Sequence, residues 1–312
     1  MAILLATNFD AAELASWWPA LQGALPGERL LRDRTELGAG ESIDIALAAN
    51  PPPGALAGLR GLRLIQSLWA GVDRLLADAS VPVDVPLARM VDPAMNEAMA
   101  ETALWSVLSV QREFFAYARQ QCEPTWRQLP QRRADETEVS VLGLGQMGRT
   151  CALRLAANGY RVAGWSRSET TVPGIETFAG EAGLASVLAH ADVVVNLLPL
   201  TDATRGLFDV RTFAQMRRGA ALVNLARGAH VVEADLLGAL ASGQLGHAVL
   251  DVFASEPLPA AHAFWSHPRI TVLPHVAALT DPRSAALIVA RNVAALRAGR
   301  ALENLVERSR GY

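Results

Sequence analysis

The chain has 312 residues, 51% of them hydrophobic and 19% charged, which suits about two domains with large cores and is opposite to a disordered composition. The net charge of −3 comes without a clustered basic run, so neither nucleic acid nor an anionic membrane surface is implied as a partner. All 28 basic residues are arginine, which excludes Schiff-base and pyridoxal-phosphate catalysis, a Walker A site and a Ser-x-x-Lys hydrolase as these are normally built.

The first third alternates between strand-like and helical patterns. Strand-like runs lie at residues 3–6, 43–47 and 64–68, with a loop at Pro51-Pro52-Pro53-Gly54 after the second. A long helix is predicted from about 93 to about 121, its apolar coverage carried by Ala103, Val107, Phe114 and Phe115 among others; Glu123-Pro124 ends it. The polar stretch 131–136 reads as a surface connection. A second, stronger alternation follows, with strands at 138–142, 161–165, 192–197, 220–225, 246–252 and 270–273 and helical patterns in most gaps. A final helix is predicted at about 282–298.

This order predicts an α/β protein whose second region is a doubly wound nucleotide-binding domain. The apolar stretch 193–200 is too short to span a bilayer, and residues 1–5 carry no basic leader, so a cytoplasmic protein without a signal peptide is expected. Cys122 and Cys151 are too few for a disulfide scaffold and match no zinc spacing, so no metal site is expected either.

Gly143-Leu144-Gly145-Gln146-Met147-Gly148 fits G-x-G-x-x-G, after an apolar strand and at the start of a helical pattern. Gly143 permits the tight turn, Gly145 lets the backbone approach a pyrophosphate, and Gly148 allows close packing of helix on strand. The N–H groups at the start of the helix, around Gln146 and Met147, supply the partial positive charge. The next strand ends in Ser166-Arg167-Ser168, without the acid that selects NAD by accepting from the ribose 2′-hydroxyl. A guanidinium flanked by hydroxyls suits a 2′-phosphate, so NADPH is favoured over NADH.

Three polar residues follow predicted strands on the nucleotide-binding side: Arg227 after 220–225, Glu256 after 246–252, and His275 after 270–273. Ligands gather at carboxyl ends of strands in such sheets, so the three can converge. Arginine can hold a carboxylate and polarise the adjacent carbonyl, and histidine can give or take the oxygen's proton. A glutamate beside the imidazole would orient it and favour its protonated form. The other five histidines lack comparable placement and read as structural or solvated.

With these motifs, and with Leu198-Pro199-Leu200-Thr201, Asn224-Leu225-Ala226-Arg227-Gly228, Glu256-Pro257-Leu258 and Pro274-His275, the sequence resembles the D-isomer-specific 2-hydroxyacid dehydrogenases along essentially its whole length. Ser67-Leu68-Trp69-Ala70-Gly71-Val72-Asp73 and Gly164-Trp165-Ser166-Arg167-Ser168 make it most similar to the glyoxylate/hydroxypyruvate reductase A branch. The resemblance implies two Rossmann-like doubly wound parallel-sheet domains. The substrate domain is discontinuous, 1–98 plus 285–312, and 99–284 is the dinucleotide-binding domain, with a cleft that closes on substrate.

It also implies Arg227, Glu256 and His275 as the catalytic set, with the backbone around Ala70, Gly71 and Val72 receiving the substrate carboxylate and Trp69 walling a small pocket. Leu198, Pro199 and Thr204 would line the adenosine and phosphate region, Asp251 would stand beside the nicotinamide amide, and Thr102 near the cofactor. A homodimer is expected, in which Trp126 either reaches the partner's site or is structural.

The reaction implied is NAD(P)H-dependent reduction of a small 2-keto acid; which one the sequence leaves open. A β-hydroxyacid dehydrogenase is disfavoured because its glycine loop is amino-terminal and its catalysis uses lysine. An NAD(P)-sensing binding protein of the corepressor kind is the reading from another class, and turnover of any 2-keto acid separates the two.

Overall fold

Strands and helices alternate from the first residues: β1 (Ala2–Thr7), α1 (Ala11–Ala24), β2 (Leu30–Leu31), β3 (Ile43–Ala49), β4 (Leu64–Ser67), α2 (Asp73–Ala77) and β5 (Leu87–Ala88). Next come α3 (Pro93–Gln111), α4 (Phe114–Cys122), β6 (Glu138–Leu142), α5 (Gln146–Ala157), β7 (Arg161–Ser166), β8 (Glu176–Ala179), α6 (Gly180–His190) and β9 (Val193–Asn196). The chain continues through α7 (Val210–Gln215), β10 (Ala220–Asn224), α8 (Glu233–Ala241), β11 (Leu245–Leu250), β12 (Ile270–Val272) and α9 (Pro282–Arg297). The structure, a computed structural model, describes residues 1–311. It divides into two units: Met1–Ala94 together with the segment from Thr280 onward, and Met95–Leu279.

The discontinuous unit holds a five-stranded parallel sheet in the order β2-β1-β3-β4-β5. Every residue of β3 and β4 is buried, as expected of parallel strands covered on both faces. Helix α1 begins with a capping box, in which Asp10 accepts from the backbone N–H of Ala12 and Glu13, and Glu13 returns a bond to the N–H of Asp10. Helix α9 is tied to this sheet by Arg297, which pairs with buried Asp44 and with Glu28, and by Asn292, whose Nδ2 donates to Gln66 Oε1 at 2.7 Å.

The second unit is a seven-stranded parallel sheet in the order β12-β11-β10-β9-β6-β7-β8. The strand order reverses between β6 and β9, which makes that junction the topological switch point. Alternation along the strands divides the apolar side chains between two cores. Val193, Val195, Ala221, Val223 and Val249 join one, and Val194, Ala220, Leu222, Ala248 and Leu250 the other. The doubly wound α/β class is therefore observed, in both units as parallel sheets.

One element differs from expectation. The helix anticipated over 93–121 is two helices, because Glu113 adopts a left-handed conformation (φ 59°) between α3 and α4. The apolar spacing continues through the break, but tertiary contacts redirect the chain. The Phe115 ring stacks on His247 at 4.2 Å, and Arg119 donates to the carbonyl of Pro268 at 3.0 Å. No helix among the described residues is long and apolar enough to cross a membrane.

Candidate active site

All strands of the second unit run the same way, so β6, β7, β9, β10, β11 and β12 deliver their following loops to one edge. At the switch point Gly143 has φ 97°, and a Cβ there would lie 2.8 Å from the carbonyl oxygen of Leu197. A Cβ on Gly148 would sit 1.7 Å from the carbonyl oxygen of Gly143, so only glycine lets α5 pack this close to the strand it follows. Gly145 is the N-cap of α5 without a side-chain cap, and the space where its Cβ would stand is open. Uncapped helix N–H groups behind an open backbone form a cradle that fits the pyrophosphate of a dinucleotide. Arg149 holds the loop by donating from Nε to the carbonyl of Leu144 at 2.9 Å.

At the end of β7, Ser166 is half-buried and donates its hydroxyl to the carbonyl of Ser168 at 2.7 Å, while Arg167 and Ser168 are exposed. Across the switch point, Leu198 is buried and Pro199 half-buried. The Thr204 hydroxyl donates to the carbonyl of Pro199 at 2.7 Å and accepts from the N–H of Thr201, so it shapes this loop from within. The Thr102 hydroxyl donates to the carbonyl of Ala277 at 2.9 Å, which ties α3 to the segment after β12.

The structure brings Glu256 and His275 together: Nδ1 of His275 lies 2.9 Å from Oε2 of Glu256. The other carboxylate oxygen of Glu256 accepts from the N–H of Phe253 at 2.9 Å, so the pair is oriented by the β11 loop itself. His275 has φ 56°, a conformation that disfavours a side chain and persists only where surrounding bonds hold it. Asp251 does this: its carbonyl accepts from the N–H of His275, and its two carboxylate oxygens accept from the N–H groups of Val276 and Ala277. Burial pushes the Asp251 carboxyl above its usual range, although those two backbone donors oppose the shift. The imidazole is half-exposed, which leaves it open to a small ligand.

Arg227 follows β10, half-buried, with Nη1 donating to the carbonyl of Ala226 at 2.6 Å. Gly228 explains why this loop lies against the one that carries Glu256. A Cβ at Gly228 would fall 1.9 Å from the carbonyl carbon of Phe253, so the two loops are in backbone contact.

Beneath these loops runs a buried polar network that the sequence reading did not assign. Asn196 and Asn224 end adjacent strands in register, and Asn196 Nδ2 donates to Asn224 Oδ1 at 2.9 Å. Asn224 Nδ2 donates to the carbonyl of Arg227 at 2.9 Å. Asn196 Oδ1 accepts from the N–H of Leu198, and its Nδ2 lies 3.0 Å from Nδ1 of His230. His230 Nε2 in turn lies 3.3 Å from the carbonyl of Pro199. Three fully buried side chains thus hold the Leu198-Pro199 loop and the Arg227 loop at once. The available signal was an asparagine closing each of two neighbouring apolar strands.

The segment 69–72 lies in the discontinuous unit, after β4. Trp69 is half-buried in an aromatic cluster, edge-on to Phe9 at 6.0 Å and to Trp17 at 5.8 Å. Ala70 and Gly71 are half-buried, and the Val72 side chain is in the core, which leaves its backbone as the part able to meet a ligand. Trp126 lies on the segment between α4 and β6, 97% exposed.

The model of the D-isomer-specific 2-hydroxyacid dehydrogenase NAD-binding domain matches residues 104–277. Glyoxylate/hydroxypyruvate reductase A of Serratia proteamaculans is 40% identical over 309 residues, 97% of each chain. The chain belongs to the D-isomer-specific 2-hydroxyacid dehydrogenase family. Among solved members, a D-isomer-specific 2-hydroxyacid dehydrogenase of Xanthobacter autotrophicus in complex with NADPH and MES is 39% identical. It superposes with a TM-score of 0.93 over 100% of this chain and 99% of that one. The NADPH-dependent glyoxylate/hydroxypyruvate reductase of Sinorhizobium meliloti, in complex with NADP and sulfate, is 36% identical with the same TM-score and coverage. As a 2-hydroxyacid dehydrogenase, the protein is an oxidoreductase that reduces 2-keto acids with a nicotinamide dinucleotide.

Proposed function

We propose that this dehydrogenase reduces a small 2-keto acid of the glyoxylate or hydroxypyruvate kind, with NADPH in preference to NADH, through Arg227, Glu256 and His275. The observation that carries the assignment is the 2.9 Å pair between His275 and Glu256 at the carboxyl edge of the sheet, with the Arg227 loop in backbone contact with the Glu256 loop. A bound reduced nicotinamide supplies the hydride to the carbonyl carbon. Arg227 holds the carboxylate and polarises the neighbouring carbonyl with its planar fork. Because Glu256 engages Nδ1, the proton given to the substrate oxygen leaves from Nε2 of the imidazolium, and Nδ1–H stays on the carboxylate. Glu256 therefore fixes the tautomer and faces the positive charge that His275 carries before transfer.

The cradle of Gly143, Gly145, Gln146, Met147 and Gly148 would hold the pyrophosphate, with Leu198, Pro199 and Thr204 along the adenosine side and Thr102 and Asp251 toward the nicotinamide. NADPH preference is supported by exposed Arg167 at the end of β7 and by the absence of an acid there; Ser168, and Ser166 once it releases the Ser168 carbonyl, would add hydroxyl donors. The Xanthobacter and Sinorhizobium relatives, which hold NADPH and NADP, point the same way. The discontinuous unit is read as the substrate domain through Trp69, Ala70, Gly71 and Val72. A cytoplasmic homodimer fits the composition and the exposed Trp105, Phe114 and Trp126.

The experiment is turnover across a panel of 2-keto acids with each reduced cofactor. Glyoxylate and hydroxypyruvate with NADPH should give the highest kcat/KM. Tight NADPH binding without turnover on any member would favour the sensing protein instead.

A further inference from the structure

The carboxyl edge of the five-stranded sheet carries a cation that the reaction above does not use. Arg89 follows β5. The register of β4 on β5, with Ile65 opposite Leu87 and Gln66 opposite Ala88, sets Arg89 level with Ser67, just before the segment 69–72. Its backbone is fixed there: the N–H of Arg89 donates to the carbonyl of Asn304 at 3.0 Å, and the N–H of Met90 donates to the carbonyl of Trp69 at 3.1 Å.

The side chain is half-buried. Four other arginines are half-buried, and each has a partner. Arg119 donates to the carbonyls of Phe115 and Pro268, Arg154 pairs with Glu97, Arg227 donates to the carbonyl of Ala226, and Arg308 donates to the carbonyls of Pro82 and Val85. The guanidinium of Arg89 has no hydrogen bond or ion pair among the described residues. Desolvation alone lowers its pKa, with no neighbouring charge to offset it. Buried side-chain nitrogens and oxygens without a partner among the described residues include none of Arg89, so its guanidinium keeps donors open at this edge. Edges of this kind are where ligands of open α/β sheets bind, and an anion is the ligand a guanidinium holds there.

We propose that Arg89 is a substrate-binding residue that takes the carboxylate of the 2-keto acid, together with the backbone at 70–72. The inference rests on the reductase reading and adds Arg89 as a second guanidinium on the carboxylate that Arg227 holds. Its ligand class is the planar 2-oxocarboxylate, for which a guanidinium fork offers two parallel donors.

The test replaces Arg89 with methionine, which keeps the stem's apolar bulk and removes every donor. A charge-assisted bond to a ligand is worth about 10- to 100-fold in affinity, so KM for glyoxylate should rise by about that factor. The Kd for NADPH, read by fluorescence, and the Tm should stay at wild-type values. The upward Tm shift produced by oxalate, a non-reducible mimic of the substrate, should be lost in Arg89→Met and partly restored in Arg89→Lys. Arg89→Lys also covers the case in which the methionine variant does not fold. An unchanged KM and an unchanged oxalate shift would overturn the assignment, as would a parallel fall of Tm and kcat at constant KM, which marks a structural arginine. Wild-type protein that reduces no 2-keto acid would instead fail the reductase reading. Active wild type with an unaffected Arg89→Met fails only this inference.

Discussion

Replacing Gly228 with alanine adds one methyl group and tests whether the Arg227 and Glu256 loops owe their placement to backbone contact. The new Cβ would lie 1.9 Å from the carbonyl carbon of Phe253, 2.2 Å from its oxygen and 2.3 Å from its Cα. Ordinary contact needs about 3.4 Å, so one loop must retreat by roughly 1.5 Å, and no flexible side chain is available to absorb the clash. Arg227 is covalently next to the added methyl, and Phe253 N–H is the donor that orients Glu256. A displacement of about 1 Å between reacting groups typically costs on the order of 100-fold, or about 2.7 kcal/mol in the barrier. The expected result is a fall of at least that size in kcat/KM for glyoxylate, followed by absorbance of the reduced cofactor. Gly246→Ala is the control, because its Cβ would lie 2.5 Å from the carbonyl oxygen of Gly219, at the opposite end of β11 from Asp251 and Glu256. It should lower Tm and leave kcat/KM of the folded protein near wild type. A Gly228→Ala enzyme with wild-type kcat/KM would refute the reasoning.

Arg227→Ala should raise KM and lower kcat together, since the guanidinium both binds and polarises; a change in KM alone would contradict the polarising role. Ser166→Asp combined with Arg167→Ala should move the ratio of kcat/KM for NADPH over NADH toward NADH, and an unchanged ratio would remove Arg167 from cofactor selection. Burial, with Arg119, His267 and Arg269 nearby, pushes His247 down to about 4 from 6.5. The folded state then binds fewer protons than the unfolded state between these values. Stability present above 6.5 should therefore decline by ~3 kcal/mol as pH falls toward 4. Urea unfolding across that range should show the decline in wild type and lose it in His247→Gln; equal slopes in both proteins would show that another group titrates.

What the sequence displayed follows from how strongly each feature is patterned. The strand Glu138–Leu142, the glycines behind it and α5 were readable because tight packing admits only glycine at 143 and 148. Edge strand β8, half-exposed in Glu176–Ala179, and the two-residue strands β2 and β5 carry too little apolar pattern to announce themselves. The break between α3 and α4 was hidden because Phe114 and Phe115 keep helical spacing while the stack of Phe115 on His247 turns the chain. Arg227, Glu256 and His275 stood out as polar residues just past apolar strands. Asn196 and His230 did not, since their value lies in meeting each other across strands far apart in sequence.

The most direct test is a single-turnover reaction of NADPH-saturated enzyme with glyoxylate, comparing wild type with His275→Ala at equal cofactor occupancy. If His275 gives the proton, oxidation of the cofactor should be at least about 100-fold slower in the variant while NADPH binding is unchanged. A variant that oxidises the cofactor at the wild-type rate would contradict the account.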